Sequence, residues 1–199
     1  TPLSASYTSQ VAALAHERGL ILHIDGARIF NAAAALGVAA SELVQDADSV
    51  MVCLSKGLCA PVGSVLCGSA AFIDQARRAR KVVGGGMRQA GIVAAAGIVA
   101  LERMTQRLAE DHRRAKRLAE GLQQNAYIEV DPVTTNILYF RLSEGAPKTP
   151  DQVVAGLRER DILLLGRLEG NFRAVTHYWV DDEDVERTIE AINDVLSHE

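Results

Sequence analysis

Two stretches decide the fold: LILHIDGAR, residues 20–28, and DSVMVCLSKGL, residues 48–58. Each holds an apolar run of strand length that gives way to a charged residue followed by glycine, Asp25-Gly26 in the first and Lys56-Gly57 in the second. Continuous apolar runs of this length read as buried strands, here Leu20 to Ile24 and Asp48 to Leu54. Between them, Ala27 to Leu36 reads as a short Ala-rich helix closed by Gly37. Strand, helix and strand in that order imply a mostly parallel sheet, and open α/β sheets bind ligands at the carboxyl ends of their strands. Asp25 and Lys56 both stand at such ends.

Working outward, a helix is expected from about Gln10 to Arg18, stopped by Gly19. A loop from Ser55 to Gly63 leads to a third short strand, Ser64 to Gly68, and a helix, Ala70 to Val82. Gly84, Gly85 and Gly86 break the chain. Arg88 to Ala100 is apolar or small nearly all round, which predicts a buried helix. Leu101 to Gln124 is amphipathic, and the two helices together can form one long connector. The last third changes character. Ile128 to Val130, Asn136 to Arg141, Ile162 to Leu165 and Phe172 to Tyr178 read as strands; Pro150 to Arg160 and Asp181 to Leu196 read as helices. The expected organisation is α/β: a partial large domain over 1–107 and a small α+β domain over 108–199.

The 199 residues are 48% hydrophobic and 23% charged, enough apolar material to bury a core. The net charge of −4 gives no electrostatic reason to expect nucleic acid or an anionic membrane as partner. Arg77, Arg78, Arg80 and Lys81 form a local basic cluster, read first as a solvated helix face. The apolar run Ala90 to Leu101 is too short to span a bilayer. Cys53, Cys59 and Cys67 contain no C-x-x-C pattern and suggest neither a disulfide framework nor a zinc site. Reduced thiols in a cytoplasmic setting fit best. Cys53 and Cys67 fall on strands and are expected to be buried; Cys59 reads as a small packed residue. No metal site is expected.

Asp25 alone could be a helix cap, and Lys56 alone a surface lysine in a loop. Together they line one sheet edge, and that pairing suits pyridoxal 5'-phosphate. A lysine leaving an apolar strand can keep the neutral amine that an imine requires. An aspartate can keep the pyridine nitrogen protonated, so that the ring accepts electrons from a substrate α-carbon. The glycine triplet is not a dinucleotide fingerprint, since it follows a helix and lacks the third spaced glycine. Nor is it a P-loop, because no Gly-Lys-Ser/Thr occurs. His23 shares the face of Asp25 in a regular strand and reads as a packed residue supporting it. His16, His112 and His198 read as structural or exposed.

Four segments, in order, carry a resemblance: His23-Ile24-Asp25-Gly26-Ala27-Arg28; Ser55-Lys56-Gly57-Leu58 with Ala60-Pro61-Val62-Gly63-Ser64; Gly84-Gly85-Gly86-Met87-Arg88-Gln89-Ala90-Gly91; and Arg173 with Val175-Thr176-His177. Over essentially its whole length the chain resembles low-specificity L-threonine aldolases, which are fold-type-I pyridoxal-phosphate enzymes. The resemblance implies that Lys56 carries the cofactor and that Asp25 pairs with its pyridine nitrogen. It implies that Arg28 lies beside the phenolic oxygen and can reach the substrate carboxylate. Lys81 and Arg88 would reach the phosphate across a subunit interface, and Arg173 would grip the substrate carboxylate. His177 either touches the site or supports Arg173. A homotetramer with sites between subunits is expected.

The family places a long segment ahead of the region that matches Thr1, with a ring-stacking histidine, a glycine-rich phosphate cradle and a further active-site histidine. The chain, which opens at Thr1 without Met, thus resembles the C-terminal part of such an enzyme and is expected to be a fragment or processed product. The implied reaction of the complete protein is cleavage of L-threonine or L-allo-threonine to glycine and acetaldehyde. The residues by themselves also suit an aminotransferase or a β-eliminating lyase. A third possibility is a non-catalytic oligomerising module that retains cofactor residues.

Overall fold

In the structure, a computed structural model that describes residues 1–166 and 170–197, the two apolar runs lie side by side. His23–Asp25 is β1 and Ser49–Cys53 is β2. They pair in parallel, with His23 opposite Ser49 and Asp25 opposite Met51. Ser64–Gly68, β3, pairs antiparallel to β2, giving the order β1-β2-β3. The α/β reading holds, with mixed pairing in place of a mostly parallel sheet. The segment from Leu54 to Gly63 contains no crossover helix, and without one the chain can only return antiparallel.

The helices follow local signals. Ala5–His16 is α1, capped by the Ser4 hydroxyl, which accepts from the Tyr7 N–H. Ile29–Leu36 is α2 and ends on Gly37 at φ +68°, a left-handed cap that glycine adopts without steric cost. Ala70–Val82 is α3, capped by Ser69. Gly91–Arg103 is α4, a 3-10 turn covers Met104–Arg107, and Leu108–Leu122 is α5. The expected long connector is therefore interrupted at Met104–Arg107.

The chain divides into two compact units, Pro2–Leu108 and Ala109–Glu199. The core of the first is small: Leu54, Leu58, Ala60, Ala100 and Leu108, with Phe30 and Met104 packed on it. Several expectations of burial fail here. The first strand begins at His23, and Leu20 and Ile21, expected inside it, are exposed. Every residue of β3 is exposed, Cys67 included, and Cys53 is half-buried. On α4 only Gly97 and Ala100 are buried, while Ile92, Ile98 and Val99 are exposed. Apolar pattern reports which faces need cover; among the described residues nothing covers these.

The second unit is better packed. Its sheet runs β4 (Ile128–Val130), β5 (Ile137–Leu142), β7 (Asn171–Val175) and β6 (Leu165–Gly166), all antiparallel. Phe140 of β5 and Phe172 of β7 stack with centroids 4.8 Å apart, and both are buried. Helices α6 (Pro150–Arg158) and α7 (Asp182–Ser197) add Val153, Leu157, Val185 and Ile192 to the same core. A capping box between Thr149 and Gln152 starts α6. Arg113, Arg114 and Arg117 of α5 pair with Asp182 and Glu186 of α7. His198 lies outside the described residues.

At the amino end of β2, Asp48 clasps α1 to the sheet. Its Oδ2 accepts from His16 Nε2 at 2.9 Å and from the Leu22 N–H at 2.7 Å. The His16 hydrogen bond, followed by the Leu22 N–H, holds the Asp48 carboxyl below its ordinary value. A carboxyl with a depressed folded-state pKa stabilises above its unfolded value, near 3.9, and that contribution is lost as pH falls through the folded value. Asp48→Asn should therefore melt below the parent at pH 6, and the two melting temperatures should converge as pH drops below about 4. Thermal unfolding across that range checks it; a gap independent of pH would refute the clasp.

Candidate active site

The parallel register of β1 and β2 brings their carboxyl ends to one edge. Asp25 is the last residue of β1 and its side chain is exposed. Its Oδ1 accepts from the Ala27 N–H at 3.0 Å, closing a tight turn. It does not cap α2, whose N-cap is Arg28 without a side-chain bond. The turn depends on Gly26. A Cβ there would stand 2.8 Å from the Met51 carbonyl oxygen and 2.9 Å from Val50 Cγ2, so any side chain would push β1 off β2.

Lys56 follows β2 in a loop pinned by apolar anchors. Leu54, Leu58 and Ala60 are buried. Leu54 N–H donates to Gly63 O, Ala60 N–H donates to Leu54 O, and Cys59 N–H donates to Lys56 O. Gly57 lies against α2 and the start of α5, where a Cβ would come within 3.1 Å of Asn31 Oδ1 and 3.3 Å of Leu108 Cδ2. The loop is thus held on its inner side while Lys56 is exposed. Its amine has no hydrogen-bond or ion-pair partner among the described residues.

Arg28 completes the grouping. Both Arg28 and Lys56 act electrostatically on Cys53, the last residue of β2. Burial, the largest single influence on the Cys53 thiol, pushes it up. The Ser55 hydroxyl, 3.5 Å away, the Ser55 N–H, and then the Lys56 and Arg28 charges together outweigh burial and hold it below its usual range. Asp25 ends β1 and Lys56 follows the end of the parallel β2, so the carboxylate and the amine leave the sheet at the same edge, and the Arg28 charge is felt at the last residue of β2. Cys53, expected to be a buried strand residue, is half-buried and feels these charges; its place directly before Leu54-Ser55-Lys56 was the available signal.

Other expected residues lie elsewhere. Lys81 is exposed in the last turn of α3, with Nζ 2.9 Å from where a Cβ on Gly86 would stand. Arg88 is exposed in the turn ahead of α4, not inside the helix. His23 is exposed and its Nδ1 hydrogen-bonds Ser49 Oγ at 2.9 Å, so it braces β2 in place of the expected support for Asp25. Arg173 belongs to the second unit, on β7 opposite Tyr139. His177 Nδ1 accepts from the Trp179 N–H at 3.3 Å, closing the turn that follows β7. Among the described residues no three His, Cys, Asp or Glu side chains are grouped to hold a metal, and no helix is long and apolar enough to cross a membrane.

The family model described as beta-eliminating lyase matches residues 1–144. The chain belongs to that family. It is 45% identical over 196 residues to low-specificity L-threonine aldolase 1 of Arabidopsis thaliana, an alignment covering 98% of this chain and 55% of that protein. It therefore spans about half the length of that relative. Among solved structures, the Leishmania major threonine aldolase superposes with TM-score 0.76 at 19% identity, over 98% of this chain and 57% of that one. The Oryza sativa TDC crystallised with PLP and tryptamine gives TM-score 0.72 at 17% identity, over 96% and 44%. At such identities these structures bear on the fold, which is fold type I.

The Gly26 contact has a direct consequence. Gly26→Ala should destabilise this beta-eliminating lyase family member by about 1–3 kcal/mol, because backbone and not a flexible side-chain end must move. Gly91→Ala, where nothing lies within 4 Å of the added carbon, should be neutral or slightly stabilising. Chemical denaturation of both variants checks the contrast.

Proposed function

We propose that the complete gene product carrying this chain is a pyridoxal-phosphate-dependent carbon–carbon lyase. Its proposed reaction cleaves a β-hydroxy-α-amino acid, L-threonine or L-allo-threonine, to glycine and acetaldehyde. The observation that supports this reading is the parallel pairing of β1 and β2, which sends Asp25 and the loop of Lys56 off the same sheet edge, in a chain 45% identical to a threonine aldolase.

The residues fit the cofactor. An amine without a carboxylate partner is available to its aldehyde, and an exposed carboxylate on the same edge suits its pyridine N–H. The tight glycine turn keeps backbone out of the way beside Asp25. Lys56 would hold the cofactor, Asp25 would keep a proton on the ring nitrogen, and Arg28 would face the phenolic oxygen or the substrate carboxylate. When bound, the cofactor supplies an electron sink for the pair released as the Cα–Cβ bond breaks. Lys81 and Arg88 would offset the phosphate charge, each cation needing only exposure and reach; in a homotetramer that reach can cross a subunit boundary. Arg173 would take the substrate carboxylate bidentately and so orient the amino acid. The base for the β-hydroxyl proton is not among the residues assigned. Three free thiols support a reducing, cytoplasmic setting.

The family description favours one second reading, β-elimination. Product analysis separates the two: glycine with acetaldehyde supports the aldolase, and a keto acid overturns it. Lys56→Ala should abolish both turnover and the visible absorption of lysine-bound cofactor. Arg173→Ala should raise KM for L-threonine about 10- to 100-fold, equivalent to losing about 1.5–3 kcal/mol of charged hydrogen bonding. An unchanged KM would remove Arg173 from the carboxylate.

A further inference from the structure

We propose that Asn136 and Thr176 are positioning residues for Arg173, a buried polar lock that fixes the register and end point of the strand carrying it. The proposal rests on the reading of Arg173 as the carboxylate-binding residue.

The lock sits where the β5–β7 ladder ends. The last laddered pair is Ile137 with Val175. Beyond it the Thr176 N–H donates to Asn136 O at 3.0 Å. The returning half of this rung comes from a side chain, as Asn136 Nδ2 donates to Thr176 O at 2.8 Å. The Thr176 hydroxyl then donates to the Asp111 carbonyl oxygen at 2.6 Å, tying the strand end to α5. Asn136 and Thr176 are each 2% exposed, and Asp111 is 0% exposed. All three belong to the Ala109–Glu199 unit.

Polar side chains buried this deeply cost free energy unless satisfied, and an apolar residue would fill the space more cheaply. What these bonds add is register. Along β7, Phe172 and Ala174 face the apolar core. Alternation sends Arg173 and Val175 to the other face with Ile137 and Tyr139. A slip of one residue would turn Arg173 into the core. Among the described residues, pairing on the far side of β7 comes from the two-residue β6. Past Thr176 the chain leaves through a turn whose Tyr178 and Trp179 are exposed. Asn136 and Thr176 are thus what ties down the open end of the strand, three positions from Arg173.

The test is a double-mutant cycle in the complete gene product with Thr176→Val, which keeps shape and removes the hydroxyl, and Arg173→Ala. Expected are a rise of about tenfold in KM for L-threonine with kcat within about twofold, restoration by Thr176→Ser, and no further rise in KM when Thr176→Val is added to Arg173→Ala. Asn136→Ala, which deletes only the side-chain half of the rung, repeats the cycle should Thr176→Val fail to fold. An unchanged KM in the single variants, or a KM effect that persists undiminished in the Arg173→Ala background, overturns the lock. A KM unmoved by Arg173→Ala itself instead overturns the carboxylate reading, and the lock with it.

Discussion

Everything in the candidate site follows from the parallel pairing of β1 with β2. Asp25 opposite Met51 places the end of the first strand beside the second, and both chains leave the sheet in the same direction. An antiparallel pair would have sent the aspartate and the lysine to opposite ends. The pairing demands close approach at Gly26, where the Met51 carbonyl and Val50 leave no room for a β-carbon. One absent side chain is thus a condition for the edge on which the charges meet.

The lysine loop shows how apolar packing sets polar position. Leu54, Leu58 and Ala60 belong to the packed apolar cluster of the first unit, and they bracket Lys56 in sequence. Burying them fixes the loop and turns the intervening lysine outward. The electrostatic result is visible at Cys53, whose thiol is drawn down by Ser55, Lys56 and Arg28 against the effect of burial. Association with beta-eliminating lyases and likeness to a threonine aldolase give that edge a chemical context. The second unit holds Arg173 on a sheet whose core, stacked around Phe140 and Phe172, is much fuller.

Much of this was legible in sequence because it rests on local signals. Apolar runs ending in Asp-Gly and Ser-Lys-Gly marked the strand ends, Gly37 marked a helix stop, and α7 forms over Asp182–Ser197, close to the helix expected over Asp181 to Leu196. What misled was the step from apolar to buried. Leu20, Ile21, Ile92, Ile98 and Val99 carry core-like composition and are exposed, because burial needs a partner surface and pattern names only one side of the contact. His23 was misread for a related reason: alternation gave its face, while its bond to Ser49 came from the neighbouring strand.

The sequence by itself determined that Asp25 and Lys56 follow apolar strands and that those strands alternate with a helix, since both depend on residues adjacent in the chain. The tertiary structure alone decided that β3 returns antiparallel, that Cys53 lies between the influences of Lys56 and Arg28, and that Asn136, Thr176 and Asp111 close one buried network. Those relations join residues as much as 65 positions apart, and no local propensity encodes them. They exist only once the packed backbone has fixed which groups must share a hydrogen bond or a field.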